Sequence, residues 1–291
     1  MAAGMGSRYG GIKQIDAFGP HGETLMDFSV FDALRAGFGE VIFIIRKEIE
    51  QDFRDVVLKR MEGRVPYRLC FQEMEPDIPG LGRVARTKPW GTCHAVISAA
   101  PLIDRPFVVI NADDFYGRSA FEVMRRFFDS SKSETDHAMA GYRLGDTLSD
   151  YGTVSRGVCE ATPDNVLISI TEHTQIRRGE GCALSLTSEG EEVLPLNRFV
   201  SMNFWGFKPS ILPVMESLFY DFAKANQSQP KAEFYIPLAV DHVIKNLGHR
   251  VHILPCEGPW FGVTYREDRP QVLKAVQKLV QQGVYPEGLF N

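Results

Sequence analysis

Two short, unbroken apolar runs constrain this chain more than anything else in it. Val41–Ile45 reads VIFII, and Pro106–Asn111 reads PFVVIN. Runs of β-branched and aromatic residues without polar alternation belong to strands covered on both faces. Around them lie segments of helical spacing. In Asp27–Phe38 the apolar residues Phe28, Phe31, Leu34 and Phe38 fall three or four apart, the period of a one-sided helix. Glu48–Met61, Thr92–Leu102 and Arg118–Phe128 also read as helices, and Tyr67–Gln72 as a further strand. This alternation predicts an α/β fold: a mostly parallel central sheet with helices on both faces.

The second half is less regular. His137–Arg143, Thr153–Cys159, Asn165–Ile170 and Phe199–Phe207 read as strands; Ile211–Ala225, Ile236–Leu247 and Gln271–Gln282 read as helices. No low-complexity linker or internal repeat separates the halves. The expectation is therefore one domain over residues 1–291, with a nucleotide-binding half (1–135) and an acceptor-binding half (136–291). Apolar residues make up 44% of the chain and charged residues 24%, as in a globular protein with a sizeable core. A net charge of −5 argues against a general nucleic-acid binder, which needs a basic surface. The five cysteines (Cys70, Cys93, Cys159, Cys182, Cys256) are scattered. That predicts neither a disulfide framework nor a zinc site, and points to a cytoplasmic protein. No signal-peptide pattern and no membrane-length apolar run is present.

The densest chemical signal lies at the start. Gly4, Gly6, Gly10 and Gly11 fall within a few residues of Arg8 and Lys13. Glycines let backbone N–H groups approach a phosphate closely, and the two cations add charge. The spacing is neither G-x-G-x-x-G nor G-x-x-x-x-G-K-[ST], which disfavours a dinucleotide fold and a P-loop NTPase. Such a loop ordinarily follows a buried strand, and here only Met1–Ala3 precedes it. The first strand is therefore expected to be missing, with its neighbours' ladder groups poorly supported.

The whole of Ala2–Gln14 (AAGMGSRYGGIKQ) resembles the signature loop of sugar-phosphate nucleotidyltransferases, the nucleoside-diphosphate-sugar pyrophosphorylases. In its shortened form it is also similar to the loop of cytidylyltransferases acting on small alcohol phosphates. The likeness continues down the chain in the family's order. Val108–Gly117 (VVINADDFYG) resembles a strand ending in a metal-binding Asp, and Pro89–Val96 (PWGTCHAV) a base-recognition turn and helix. Tyr151-Gly152 and Ile170–His173 (ITEH) are similar to acceptor motifs.

What this resemblance implies is specific. The fold would be a Rossmann-like nucleotidyltransferase fold. Arg8 and Lys13 would be catalytic. Ala3, Gly4, Gly6, Gln72, Gly91 and Thr92 would bind the nucleotide, and Asp113 would hold Mg²⁺. Gly152, Glu172 and Asn203 would face the acceptor, with Glu233 a weaker candidate. The substrates would be a nucleoside triphosphate and a phosphorylated small molecule, with no nucleic-acid or membrane partner; a homo-oligomer is compatible with the sequence.

The residues support part of this independently. Asp113 follows a buried strand, where ligand crevices form, and its hard oxygens suit Mg²⁺. A Gln amide both donates and accepts, so Gln72 can read a base edge. Phe204 and Trp205 read as core.

The chain departs from the family pattern at two positions. Gly262, in Trp260–Tyr265 (WFGVTY), stands where a second metal-binding Asp is usual, and His173 stands where a phosphate-binding Lys is usual. Asp268 or Glu267 is then an alternative source of a second carboxylate. These departures keep a non-catalytic nucleotide-sugar sensor open as an alternative. A glycosyltransferase is disfavoured because Asp113-Asp114 is not an Asp-x-Asp motif. No hexapeptide repeats are present, so no added β-helix domain is expected.

Overall fold

The computed structural model describes residues 1–4, 16–263 and 265–290. Helix α1 (Leu25–Arg35) starts at a reciprocal capping box, in which the Thr24 hydroxyl accepts from the Asp27 N–H and the Asp27 carboxylate accepts from the Thr24 N–H. This satisfies two groups that a helix start otherwise strands. Strands β1 (Val41–Ile45) and β2 (Tyr67–Phe71) pair in parallel. Between them run α2 (Glu50–Phe53) and α3 (Lys59–Met61), joined through a π-helical turn at Arg54–Leu58. Then come α4 (Thr92–Ser98), β3 (Phe107–Val109), β4 (Asp114–Phe115) and α5 (Arg118–Ser130).

The second half supplies β5 (Asp136–Arg143), β6 (Val154–Ala161), β7 (Leu167–Arg178), β8 (Ala183–Thr187), β9 (Gly190–Leu194) and β10 (Phe199–Phe207). It closes with α6 (Leu212–Ala225), α7 (Ile236–Leu247), β11 (Arg250–Pro255), β12 (Phe261–Gly262) and α8 (Arg269–Gln281).

The α/β class and the Rossmann-like fold are as expected, but the sheet is mixed rather than mostly parallel. Among the described strands, β1–β2 and β11–β5 are parallel. The order β11-β5-β10-β6-β7-β8-β9 is otherwise antiparallel, and β3 joins β10 antiparallel. The physical reason is connection length. Parallel neighbours need a crossover helix, whereas β6 to β9 follow one another through short turns that reverse the chain.

Helices cover both faces. On β10, Val200, Met202 and Phe204 join Phe121 and Met124 of α5 in one cluster. Trp205 and Phe207 join Val96, Met215, Phe219 and Val240 of α4, α6 and α7 in another. Phe204 and Trp205 are both fully buried, as core residues.

The place where a first strand was expected lies between β1 and β3. Met1 and Ala2 form only its end. The Met1 ammonium donates to Ile110 O at 2.7 Å, Ala112 N–H donates to Met1 O at 2.9 Å, and Ala2 N–H donates to Ile44 O at 2.7 Å. Behind them is an apolar slot of about 220 Å³, lined by Val30, Ala33, Ile42, Val96, Val108 and Phe121 among others. Strand alternation turns the backbone of Ile42, Ile44, Val108 and Ile110 towards this slot. No described residue pairs with the Ile42 and Val108 edges there. The two sheets flank this slot.

Candidate active site

A cleft of about 320 Å³ opens where Met1–Gly4 emerge between β1 and β3. It is lined by Met1, Ala3, Gly4, Gln72, Lys88, Gly91, Thr92, Asn111, Asp113, Asn203 and Glu233. Seven of the sequence-predicted site residues are thus brought together: Ala3, Gly4, Gln72, Gly91, Thr92, Asp113 and Asn203. Gly6, Arg8 and Lys13 lie outside the described residues.

Asp113 reaches the cleft because it lies in the turn between β3 and β4, and that turn is pinned from below. Tyr116 is fully buried; its hydroxyl donates to Met202 O at 2.8 Å and accepts from Asn111 N–H at 3.1 Å. Asn111 Nδ2 donates to Asp114 Oδ2 at 2.9 Å, so Asp114 faces inward while Asp113 lines the cleft. Asn203 sits at a register shift in β10 with φ of 59°. A bulged residue with left-handed backbone is strained unless its surroundings hold it, and such strain gathers at functional sites.

Gln72 directly follows β2, its N–H held by Ile45 O at 2.9 Å. Its Nε2 donates to Gly91 O at 3.0 Å and lies 3.2 Å from His94 Nδ1. Gly91 has φ of 100° and ψ of −176°, a region essentially closed to side chains. A Cβ there would stand 2.6 Å from Phe234 O and 2.8 Å from Phe234 N. The missing side chain makes room for the Phe234 backbone, which holds the start of α4 through Cys93 N–H→Phe234 O at 3.0 Å. Thr92 Oγ1 accepts from Ile236 N–H at 3.1 Å and so ties α4 to the start of α7.

Sequence reasoning missed Lys88 and Asn111, and rated Glu233 as weak. Lys88 Nζ lies 3.2 Å from Glu233 Oε2, which also accepts from the Tyr235 hydroxyl at 3.0 Å. A lysine two residues ahead of Trp90-Gly91 was the available signal for Lys88. Glu233 had only the family resemblance, because a fold contact sets it beside Lys88.

Gly152 and Glu172 do not line this cleft. A Cβ on Gly152 would meet the Tyr265 hydroxyl at 2.6 Å. Glu172 on β7 lies in the field of Arg156 on β6. Burial raises the Glu172 carboxyl to about 7, against the lowering effect of Arg156. Arg156 is itself lowered to about 10 by burial, with Asp114 and Glu172 opposing that shift. Its guanidinium donates to the carbonyls of Ser155 and Thr147 and lies 5.0 Å from the Trp260 ring centre. An electrostatic link through Arg156 thus joins Glu172 to Asp114, and hence to the base of the Asp113 turn.

The two departures have structural counterparts. A Cβ at Gly262 would meet the Trp260 ring at 2.5 Å and Asp114 Oδ1 at 2.7 Å, so an acidic side chain has no room there. His173 turns its Nδ1 to Ser185 Oγ at 2.7 Å on β8. Asp268 accepts from Tyr265 N–H at 2.8 Å and from Ser149 Oγ at 3.0 Å, a helix-start role. Glu267 is exposed. Neither lines the Asp113 cleft. Among the described residues no group of three or more His, Cys, Asp or Glu side chains could hold a metal ion. Asp113 with Asn111 still suits Mg²⁺ carried by a nucleotide, since that ion usually takes one or two carboxylates plus phosphate and water.

Among the described residues the five cysteines are free, and no helix is long and apolar enough to cross a membrane.

Comparison with known proteins gives the family and the fold. The family model described as nucleotidyl transferase matches residues 1–214. No protein with a curated description matches by sequence. The inositol-1-phosphate CTP transferase from T. maritima is 12% identical at a TM-score of 0.64, covering 96% of this chain and 94% of that one. A UDP-glucose pyrophosphorylase complexed with UDP-glucose is 17% identical at a TM-score of 0.59, covering 95% and 96%. The CTP:phosphocholine cytidylyltransferase from Streptococcus pneumoniae is 14% identical at a TM-score of 0.59, covering 94% and 96%.

Proposed function

The chain belongs to the nucleotidyl transferase family, and on that premise we propose that it joins a nucleoside triphosphate to a sugar 1-phosphate, releasing pyrophosphate. One observation carries this reading. Gly4 at the mouth of the glycine-rich loop, Gln72 after β2, Gly91 of the base turn, and Asp113 after β3 converge on one cleft from four separate stretches of sequence.

An acceptor phosphate oxygen attacks the α-phosphorus in line, and pyrophosphate departs. The acceptor is already an anion near neutral pH, so no general base is required. Catalysis rests on positioning and charge neutralisation. In this reading Gln72 and Gly91 hold the base, Ala3 and Gly4 the phosphate path, and Arg8 and Lys13 the charge on the α-phosphoryl group and leaving pyrophosphate. Asp113 would hold Mg²⁺, which supplies charge neutralisation on phosphate oxygens when bound. Asn203 serves the acceptor from within the cleft, and Glu172 and Gly152 from beside it. The division into a nucleotide half (1–135) and an acceptor half (136–291) follows from this assignment.

A second reading has one observation in its favour. His173 is turned to Ser185 and leaves the usual phosphate lysine unreplaced, which suits a non-catalytic nucleotide-sugar sensor. Pyrophosphate release across a matrix of nucleoside triphosphates with sugar 1-phosphates and alcohol phosphates, with and without Mg²⁺, separates the two. Lys13→Ala is expected to lower turnover by more than about tenfold while the thermal melt holds. Undiminished release by a folded Lys13→Ala variant defeats the assignment.

A further inference from the structure

The Gln72 amide has one workable orientation. Gly91 O can only accept, so the atom 3.0 Å from it is the amide nitrogen. That nitrogen also lies 3.2 Å from His94 Nδ1. An amide nitrogen does not accept, so Nδ1 accepts and the imidazole proton sits on Nε2.

The ring is well fixed for this task. His94 is 5% exposed, belongs to the first turn of α4, and stacks on Phe219 with ring centres 4.7 Å apart. Burial, and secondarily Arg86, lowers its pKa to about 4, which keeps the ring neutral. With both amide hydrogens engaged, Gln72 has only Oε1 left to present to the cleft it lines, and no described residue donates to that oxygen.

We infer that His94 is a positioning residue that locks Gln72 with Oε1 facing the cleft, so that the site selects nucleobases presenting an N–H donor at that point. The donor would be N3–H of uracil or thymine, N1–H of guanine, or the exocyclic amino group of cytosine or adenine. This inference rests on the nucleotidyltransferase reading proposed above. It adds which atom of Gln72 does the reading, and which residue makes it so.

The test compares each nucleotide with its donor-deleted analogue: UTP with N3-methyl-UTP, CTP with N4,N4-dimethyl-CTP, GTP with N1-methyl-GTP, and ATP with N6,N6-dimethyl-ATP. Binding is followed by thermal shift, which needs no turnover, and KM by pyrophosphate release. For the preferred nucleotide, methylation is expected to weaken binding at least about tenfold, the cost of stranding a buried acceptor. His94→Phe keeps the stacking but cannot accept. It should raise KM about tenfold with a smaller effect on kcat, and shrink the parent-to-methylated ratio to within about threefold. His94→Asn, whose amide oxygen can take the place of Nδ1, should restore most of that ratio.

Equal binding of parent and methylated nucleotides by the unaltered protein overturns the inference, whatever the variants do. So does a His94→Phe variant that keeps the full ratio. That second outcome leaves the transferase reading standing. Silence of the unaltered protein towards every nucleotide overturns both.

Discussion

Replacing Gly91 by Ala tests how the base turn is built. Two costs are expected at one site. The backbone at φ 100° and ψ −176° lies where only glycine sits comfortably, at about 1–3 kcal/mol for another residue. The new Cβ would also stand 2.6 Å from Phe234 O, 2.8 Å from its N and 3.0 Å from its C. Those are backbone atoms that cannot rotate away, and overpacking of this kind costs about 1–3 kcal/mol. Together the loss is about 2–6 kcal/mol. Gly248 supplies the control. It is the left-handed cap of α7 at φ 67°, ψ 19°, with nothing within 4 Å of its Cβ position, so Gly248→Ala meets only the backbone cost of about 1 kcal/mol. Equilibrium urea unfolding, followed by fluorescence of the adjacent buried Trp90, measures both. The Gly91 variant should also bind nucleotide more weakly, because Gly91 O anchors Gln72 and the Phe234 shift moves Glu233. If Gly91→Ala loses no more stability than Gly248→Ala, the Phe234 contact is not what demands glycine, and the argument fails.

Two further predictions use other parts of the molecule. Fusing four apolar residues such as Val-Val-Val-Leu ahead of Met1 should raise stability by at least about 2 kcal/mol, because pairing the Ile42, Ile44, Val108 and Ile110 groups and burying side chains outweighs ordering the added backbone. A Gly-Asn-Asp-Gly extension should give no such gain, and equal urea midpoints for the two would refute the strand-slot description. His137, fully buried, donates from Nε2 to His249 Nδ1 at 3.0 Å and accepts Lys208 N–H at Nδ1, with Asp136 also near. Burial first, then His249, lowers its pKa from 6.5 to about 4. Its contribution is therefore complete above pH 6.5 and is lost as pH falls towards 4, a loss on the order of 3 kcal/mol. The raised carboxyls of Asp32, at about 6, and Glu172, at about 7, act in the opposite sense over that range. The clean measurement is thus a difference: His137→Asn should flatten the acid loss relative to the unaltered chain, and identical pH slopes would count against the assignment.

The fold class was legible because its signals are local. The VIFII run gave β1 to the residue, and Phe199–Phe207 and Ile236–Leu247 gave β10 and α7. Strand direction was not legible. The patterns of β5, β6 and β10 say that a strand is buried, but direction depends on which neighbour it meets, and long-range pairing decided that. Strand β11 was overlooked because Arg250 and His252 interrupt its apolar pattern, while pairing with β5 along its length makes it a strand.

The candidate site divides the same way. Sequence by itself marked the candidate residues: glycines beside cations at Gly4–Lys13, an Asp after a buried strand at Asp113, and an amide ahead of a glycine turn at Gln72 and Gly91. These are statements about short stretches, where covalent spacing limits what a backbone can do. Only the tertiary structure decided that Lys88 and Glu233 share a cleft with Asp113, that Arg156 lies between Glu172 and Asp114, and that His94 sits beside Gln72. Those relations join residues tens to more than a hundred positions apart. Their geometry is set by how the sheet and its covering helices pack, which no local pattern records.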